Sequence, residues 1–280
     1  MSDRHYLVNG LKLHLTFAGP EEGEPVLLIH GFPDTHQVWR HQIPVLAEAG
    51  YRVIAPDLRG FGASDAPLEK GTYHRSKVVG DLLGILDVLG IEKVKLIGHD
   101  WGGAVTWAFV LAYPQRVERF VPMAVGHPQA YPRGGLAQKL KGYYVPILAS
   151  PAGESLLKLG NWRVFEWLMH YPPEVDNWKK QLRRPGRLKS AISLYRDNLD
   201  LVMPKKYPRA AVPVMGIWSS RDHALARCQM VASGDYVDGP WRYEEVADAG
   251  HWLMLEKPDE TNRLLLDYLS DPLNGKECDE

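Results

Sequence analysis

At 280 residues, with 45% hydrophobic and 24% charged residues, the chain has the composition of a globular protein with a sizeable core. A formal net charge of −1 supplies no global field for nucleic acid or an anionic membrane, so neither is expected as a partner. The opening MSDRHYLVNG carries no apolar leader, no run approaches a membrane span, and Cys228 and Cys278 stand far apart, which suits free thiols in a reducing, cytoplasmic setting.

In chain order, residues 6–8 and 11–17 alternate around Asn9-Gly10 and predict a hairpin. Residues 26–29 read as a buried strand that runs into His30-Gly31-Phe32-Pro33. A helix is expected over 35–49, with Gly50 just past its end. A strand over 51–55 leads into Pro56-Asp57-Leu58-Arg59-Gly60-Phe61-Gly62-Ala63-Ser64-Asp65. No Gly-Lys-Ser/Thr follows, so these glycines suit a compact turn rather than a phosphate loop. Val78, Val79, Leu82, Leu83, Leu86 and Leu89 recur at helical spacing and predict a helix over 75–89, closed by Gly90.

Residues 93–107, KVKLIGHDWGGAVTW, then read as strand, tight turn and helix. The turn has the spacing G-x-nucleophile-x-G, in which one residue is held on a strained corner and raised into a cleft. Asp100 occupies that corner. The plainer reading is an Asp that merely caps the following helix.

A further strand is expected over 119–125, and there the alternation of strands and helices stops. From 127 to 208 the sequence predicts helices alone, over 135–148, 154–159, 162–170, 174–182 and 187–199, punctuated by prolines. Strands over 214–218 and 243–246, a helix over 258–269 and a polar tail over 271–280 complete the chain. This order predicts an α/β fold: a mostly parallel twisted sheet with helices on both faces. Residues 1–126 and 209–280 would form the core, and 127–208 an inserted helical cap above the carboxyl edge of the sheet, where open α/β folds bind ligands. Asp222 follows the strand over 214–218 and His251 the strand over 243–246, so with Asp100 three polar residues fall at three strand ends.

The sequence resembles the α/β-hydrolases, and within them the epoxide hydrolases. The resemblance covers nearly the whole chain and rests on HGFP at 30–33, PDLRGFGASD at 56–65, GHDWGG at 98–103, Asp222 and AGH at 249–251. It implies a triad in the order nucleophile, acid, histidine: Asp100, Asp222, His251. Tyr144 in GYYVPILASP and Tyr195 in LYRDN match the places of the family's two ring-opening tyrosines, with Tyr143 an alternative to Tyr144. A cis bond between Phe32 and Pro33 is implied as well.

The chemistry of an Asp nucleophile agrees. A carboxylate is already charged at neutral pH and needs no activating base, unlike serine. Attack on an ester carbonyl would give a mixed anhydride, whereas attack on saturated carbon gives an ordinary ester that water can cleave. His251, oriented by Asp222, would then deprotonate water for attack on the Asp100 carbonyl, with the Phe32 and Trp101 amides as oxyanion donors. Opening an epoxide produces an alkoxide that needs a proton, for which neutral phenols are suitable donors. The expected activity is therefore hydrolysis of a small hydrophobic epoxide to a vicinal diol, without cofactor or metal. A haloalkane dehalogenase is the alternative: Trp101 and the cap residues Trp162, Trp167 and Trp178 could serve a halide, although Phe32 stands where an Asn would be expected. A non-catalytic ligand receptor on the same fold is the more distant one. Eleven histidines show no metal-type spacing, and the oligomeric state is left open.

Overall fold

The computed structural model describes residues 1–170, 172–202 and 205–271. Eight strands form one sheet: β1 (Ser2–Val8), β2 (Leu11–Ala18), β3 (Pro25–Ile29), β4 (Arg52–Pro56), β5 (Val94–His99), β6 (Val117–Met123), β7 (Val214–Ser219) and β8 (Trp241–Val246), in the order β1-β2-β4-β3-β5-β6-β7-β8. The Asn9-Gly10 hairpin makes β1 and β2 antiparallel, both turn residues taking positive φ. β2 also pairs antiparallel with β4, and every later pairing is parallel. β5 and β7 are buried along their whole length, as expected of strands covered on both faces.

The helices are α1 (Gln42–Glu48), α2 (Arg75–Val88), α3 (Trp101–Ala112), α4 (Gly135–Lys141), α5 (Tyr144–Ala149), α6 (Gly153–Met169), α7 (Pro172–Leu182), α8 (Arg187–Arg196), α9 (Arg227–Val231), α10 (Leu253–Glu256) and α11 (Pro258–Ser270). Helices α4 to α8 all lie between β6 and β7 in the chain, as the loss of alternation predicts.

Several boundaries differ from the sequence expectation for identifiable reasons. The helix expected over 35–49 is a 3-10 turn, His36–Trp39, followed by the shorter α1. Pro44 lacks an N–H and would clash with the carbonyl of Arg40 inside a longer helix, but it is tolerated in the first turn of a helix that begins at Gln42. The helix expected over 135–148 breaks at Gly142-Tyr143, whereas the interruption expected between 154–159 and 162–170 is found as non-helical backbone from Leu159 to Trp162 inside α6. Short helices α9 and α10 have no counterpart in the sequence reading. Most of the polar tail, with Cys278, lies outside the described residues; Cys228 is exposed and unpaired. No helix among the described residues is long and apolar enough to cross a membrane.

Candidate active site

At the end of β5 the chain turns into α3 with Asp100 at φ 54°, ψ −123°. A non-glycine residue rarely takes that conformation, and it persists because its surroundings leave no alternative. A Cβ on Gly98 would come within 2.4 Å of Thr106 Oγ1, and one on Gly102 within 2.2 Å of the Ile29 carbonyl. The strand and helix can approach this closely because both positions are glycine. Asp100 does not cap α3 with its side chain. Its Oδ1 instead accepts the Phe32 N–H at 2.9 Å, and the Trp101 N–H also reaches the carboxylate. The plainer N-cap reading is thereby excluded. Gly31 makes room for the carboxylate, since a Cβ there would lie 2.5 Å from Oδ1.

The loop that carries the Phe32 amide is set by His30. Its Nε2 accepts the Leu58 N–H and its Nδ1–H donates to the Gly31 carbonyl, both at 2.9 Å. Burial pushes His30 down to about 4, so it is neutral and both nitrogens are occupied. The Phe32-Pro33 bond is cis.

His251, past the end of β8, stands between two carboxylates. Its Nδ1 is 2.9 Å from Asp222 Oδ2 and its Nε2 3.5 Å from Asp100 Oδ2. Asp222 uses its other oxygen to accept the Ala224 and Leu225 N–H groups at 2.7 and 2.9 Å, so the carboxylate is fully satisfied. Burial disfavours charge on all three groups, yet their mutual attraction prevails. His251 rises to about 10, while Asp100 and Asp222 fall below the usual carboxylate range. The resting site is an imidazolium held by two carboxylates. His99, directly before Asp100, is pushed down to about 3 by burial and anchors the triad through a 2.9 Å hydrogen bond with the His251 carbonyl.

A cavity of about 340 Å³ opens over Asp100, lined by Trp101, Val125, Tyr131, Tyr144, Tyr195 and Leu225 among others. Tyr144 begins α5 and Tyr195 sits near the end of α8, with ring centroids 6.1 Å apart and planes at 84°. Tyr195 also packs edge-on against Trp101 at 5.0 Å and Phe32 at 5.4 Å. Burial first, and then the charge of Asp100, push both phenols well above the ordinary tyrosine range, so both hold their protons at neutral pH. Tyr143 points elsewhere: it is 39% exposed, and its hydroxyl faces His170 Nε2 at 3.5 Å.

The cap tryptophans do not line the cavity. Trp162 is buried against Phe165, Trp167 is exposed, and Trp178 donates its indole N–H to Asp34 Oδ1 at 2.8 Å. Asp34 is a residue that the sequence reading missed. It is buried and accepts a second indole N–H, from Trp252, at 3.0 Å. Burial raises its carboxyl to about 7 despite these two donors. The signal was a charged residue directly after HGFP. Asn198 was missed too: it accepts the Arg75 N–H and donates to the Tyr73 and Leu194 carbonyls, each at 2.8 Å, three residues beyond Tyr195.

Residues 24–258 match the family model of the alpha/beta hydrolase fold. The chain belongs to the α/β-hydrolase family. Among relatives of this hydrolase, epoxide hydrolase 4 of Homo sapiens is 30% identical across 96% of this chain and 78% of its own length. The AB hydrolase superfamily protein YfhM of Bacillus subtilis is 32% identical across 93% and 95%. Among solved structures, one from a study of novel epoxide hydrolases in metagenomes from hot environments superposes with a TM-score of 0.87 at 28% identity, covering 96% of this chain and 98% of that one. Epoxide hydrolase A of Mycobacterium thermoresistibile superposes at 0.79, also at 28% identity, with coverage of 96% and 98%. The hydrolase thus resembles epoxide hydrolases along nearly its whole length, as the motifs imply.

Proposed function

We propose that this hydrolase opens small hydrophobic epoxides to vicinal diols through an ester on Asp100. The observation that carries this reading is the facing of one charged carboxylate by two protonated phenols, Tyr144 and Tyr195, across a mostly apolar cavity. In the first step an Asp100 oxygen attacks a ring carbon, the C–O bond breaks, and a phenol hydrogen-bonds and then protonates the leaving oxygen. Nothing need activate the nucleophile, because Asp100 stays ionised.

Esterification removes the charge of Asp100, and with it one of the two attractions that keep His251 protonated. The imidazole becomes the better base when a base is needed. The imidazolium first gives up its Nε2 proton, which restores the phenolate left by ring opening. The neutral ring, oriented by Asp222, then takes a proton from water, which attacks the Asp100 carbonyl carbon while the Phe32 and Trp101 amides receive the oxyanion. Collapse of that intermediate breaks the ester and releases the diol. Residues 127–208 serve in this reading as the cap that brings the phenols over a core of 1–126 and 209–280, and water and substrate are the partners required.

The dehalogenase reading loses support from the site. A departing halide wants N–H donors, yet Trp178 is committed to Asp34, Phe32 offers only its amide, and the Trp101 ring is packed edge-on against Tyr195. A receptor would have no use for an ionised carboxylate opposite a paired histidine.

The test is a single turnover of an epoxide in ¹⁸O-labelled water. The label is expected in the Asp100 carboxyl, with the first diol unlabelled; label in that first diol would mean direct attack by water. His251→Gln should in parallel accumulate an adduct on Asp100 visible by mass spectrometry.

A further inference from the structure

On the other side of the loop that carries Phe32, three residues distant in sequence converge. His14 lies on β2, Asp57 directly follows β4, and His36 opens the 3-10 turn after Pro33. The antiparallel pairing of Leu15 with Pro56 puts His14 opposite Asp57, whose N–H donates to the His14 carbonyl at 2.9 Å. One donor atom from each of the three side chains lies within 4.8 Å of the others. We propose that His14, His36 and Asp57 form a binding site for one divalent transition-metal ion of the zinc, cobalt or nickel type.

The carboxylate is held as a metal ligand would be. Asp57 Oδ1 accepts the His36 N–H and Oδ2 the Ala63 N–H, each at 2.9 Å, which fixes the group and leaves one lone-pair direction on each oxygen. Those directions face the two rings: His36 Nδ1 at 2.8 Å and His14 Nδ1 at 3.0 Å. The His14 contact is an ion pair at 3.0 Å whose geometry falls outside that of a hydrogen bond, so a buried ring nitrogen is aimed at the carboxylate without optimal alignment. An ion about 2.0–2.2 Å from each donor needs donor–donor spacings of about 3.3 Å, a few tenths of an ångström more than the two nitrogen–oxygen distances found.

Part of an outer shell is in place, at His36. A histidine that binds metal through one nitrogen usually donates its other N–H to a carboxylate or amide oxygen. The second nitrogen of His14 faces Asp3 Oδ1 at 3.7 Å, and that of His36 faces the Gln37 side-chain amide at 2.7 Å, whose oxygen and nitrogen exchange by a flip. Two imidazoles and one carboxylate select a borderline ion over magnesium or calcium, which prefer all-oxygen sites. His14 and Asp57 are buried while His36 is partly exposed, which gives the ion a way in. Binding would displace ring protons facing Asp57 and tie β2, β4 and the turn after Pro33 together. The consequence is stability, and it is independent of the reaction proposed above.

Full-length, tag-free protein stripped by chelator is titrated with Co²⁺ and, separately, Zn²⁺. We expect one ion per chain, visible d–d bands of a low-coordinate cobalt site, and a Tm raised by about 4 °C at a hundredfold excess over Kd. His36→Gln, at a partly exposed position, should weaken binding at least tenfold and remove the bands, while His41→Gln leaves both unchanged. Zn²⁺ should also protect His36 of the unmodified protein from carbethoxylation, mapped by mass spectrometry, a readout that needs no variant. Absence of a stoichiometric ion, bands that survive His36→Gln, or a His36 that stays reactive with Zn²⁺ bound would each overturn the assignment.

Discussion

Asp100 and His251 hold each other charged across 3.5 Å, and much of the site's chemistry follows from that contact. Each is buried, and alone each would drift toward its neutral form. The pair can therefore act as a switch: consuming the charge of one withdraws support from the charge of the other. The phenols act at the same scale. Tyr144→Phe and Tyr195→Phe should each slow formation of the ester by roughly 10²–10⁴-fold, the range for a lost general acid. Tyr143→Phe should leave it nearly unchanged, since that hydroxyl faces His170 on the outside of the cap. Rapid-quench measurement of the alkylation step distinguishes these outcomes. The sequence resemblance points to Tyr144 but leaves Tyr143 open, because adjacent aromatics in a helical segment differ by about 100° in direction and nothing local says which one looks inward.

Among the elements, the strand–turn–helix around Asp100 was legible in advance because its glycines report backbone crowding directly. The segment after Tyr195 was not. There Asn198, 2% exposed, joins the end of α8 to the start of α2 by two hydrogen bonds, to the Arg75 N–H and the Tyr73 carbonyl, while a third ties it back to Leu194, and so fixes Tyr195 over the core. Asn198→Ala would orphan the Arg75 N–H and the Tyr73 carbonyl. It should cost about 1–3 kcal/mol in urea unfolding, and activity should fall with the loss of phenol positioning. An asparagine in a polar run carries no mark of burial. Pro44 shows the converse case: its effect on α1 follows from covalent chemistry alone and could have been foreseen.

Across the whole molecule, the cap is tied to the core by polar contacts: Arg40 to Glu174 at 2.6 Å, Arg184 to the Gly62 carbonyl at 2.6 Å, and Asp34 to Trp178. Asp34 gives this seam a pH dependence. Its carboxyl titrates near 7 when folded against an ordinary 3.8, so between those values the folded state holds a proton that the unfolded chain has released. Stability should therefore fall as pH rises through that window, by up to about 1.4 kcal/mol per pH unit from this group. His251 acts with the same sign in a higher window, its contribution complete below about 6.5 and lost through about 10. Asp222 acts with the opposite sign, losing its contribution as the pH falls through its depressed value. Chemical denaturation of Asp34→Asn at several pH values should show a flatter slope between about 4 and 7 than the unmodified chain; an unchanged slope would mean that Asp34 is ionised throughout.

By itself the sequence determined the alternation of strands and helices, the inserted helical block, the corner at Asp100 and the order of the three strand-end residues. These are written in local signals: periodicity, glycine spacing and the residues that follow each strand. Tertiary structure alone decided that Tyr144 rather than Tyr143 lines the cavity, that Asp34 and Asn198 join cap to core, and that His14, His36 and Asp57 meet. Such meetings depend on which strands become neighbours and how the cap settles. Those outcomes are set by packing over the whole chain, and no short window of residues records them.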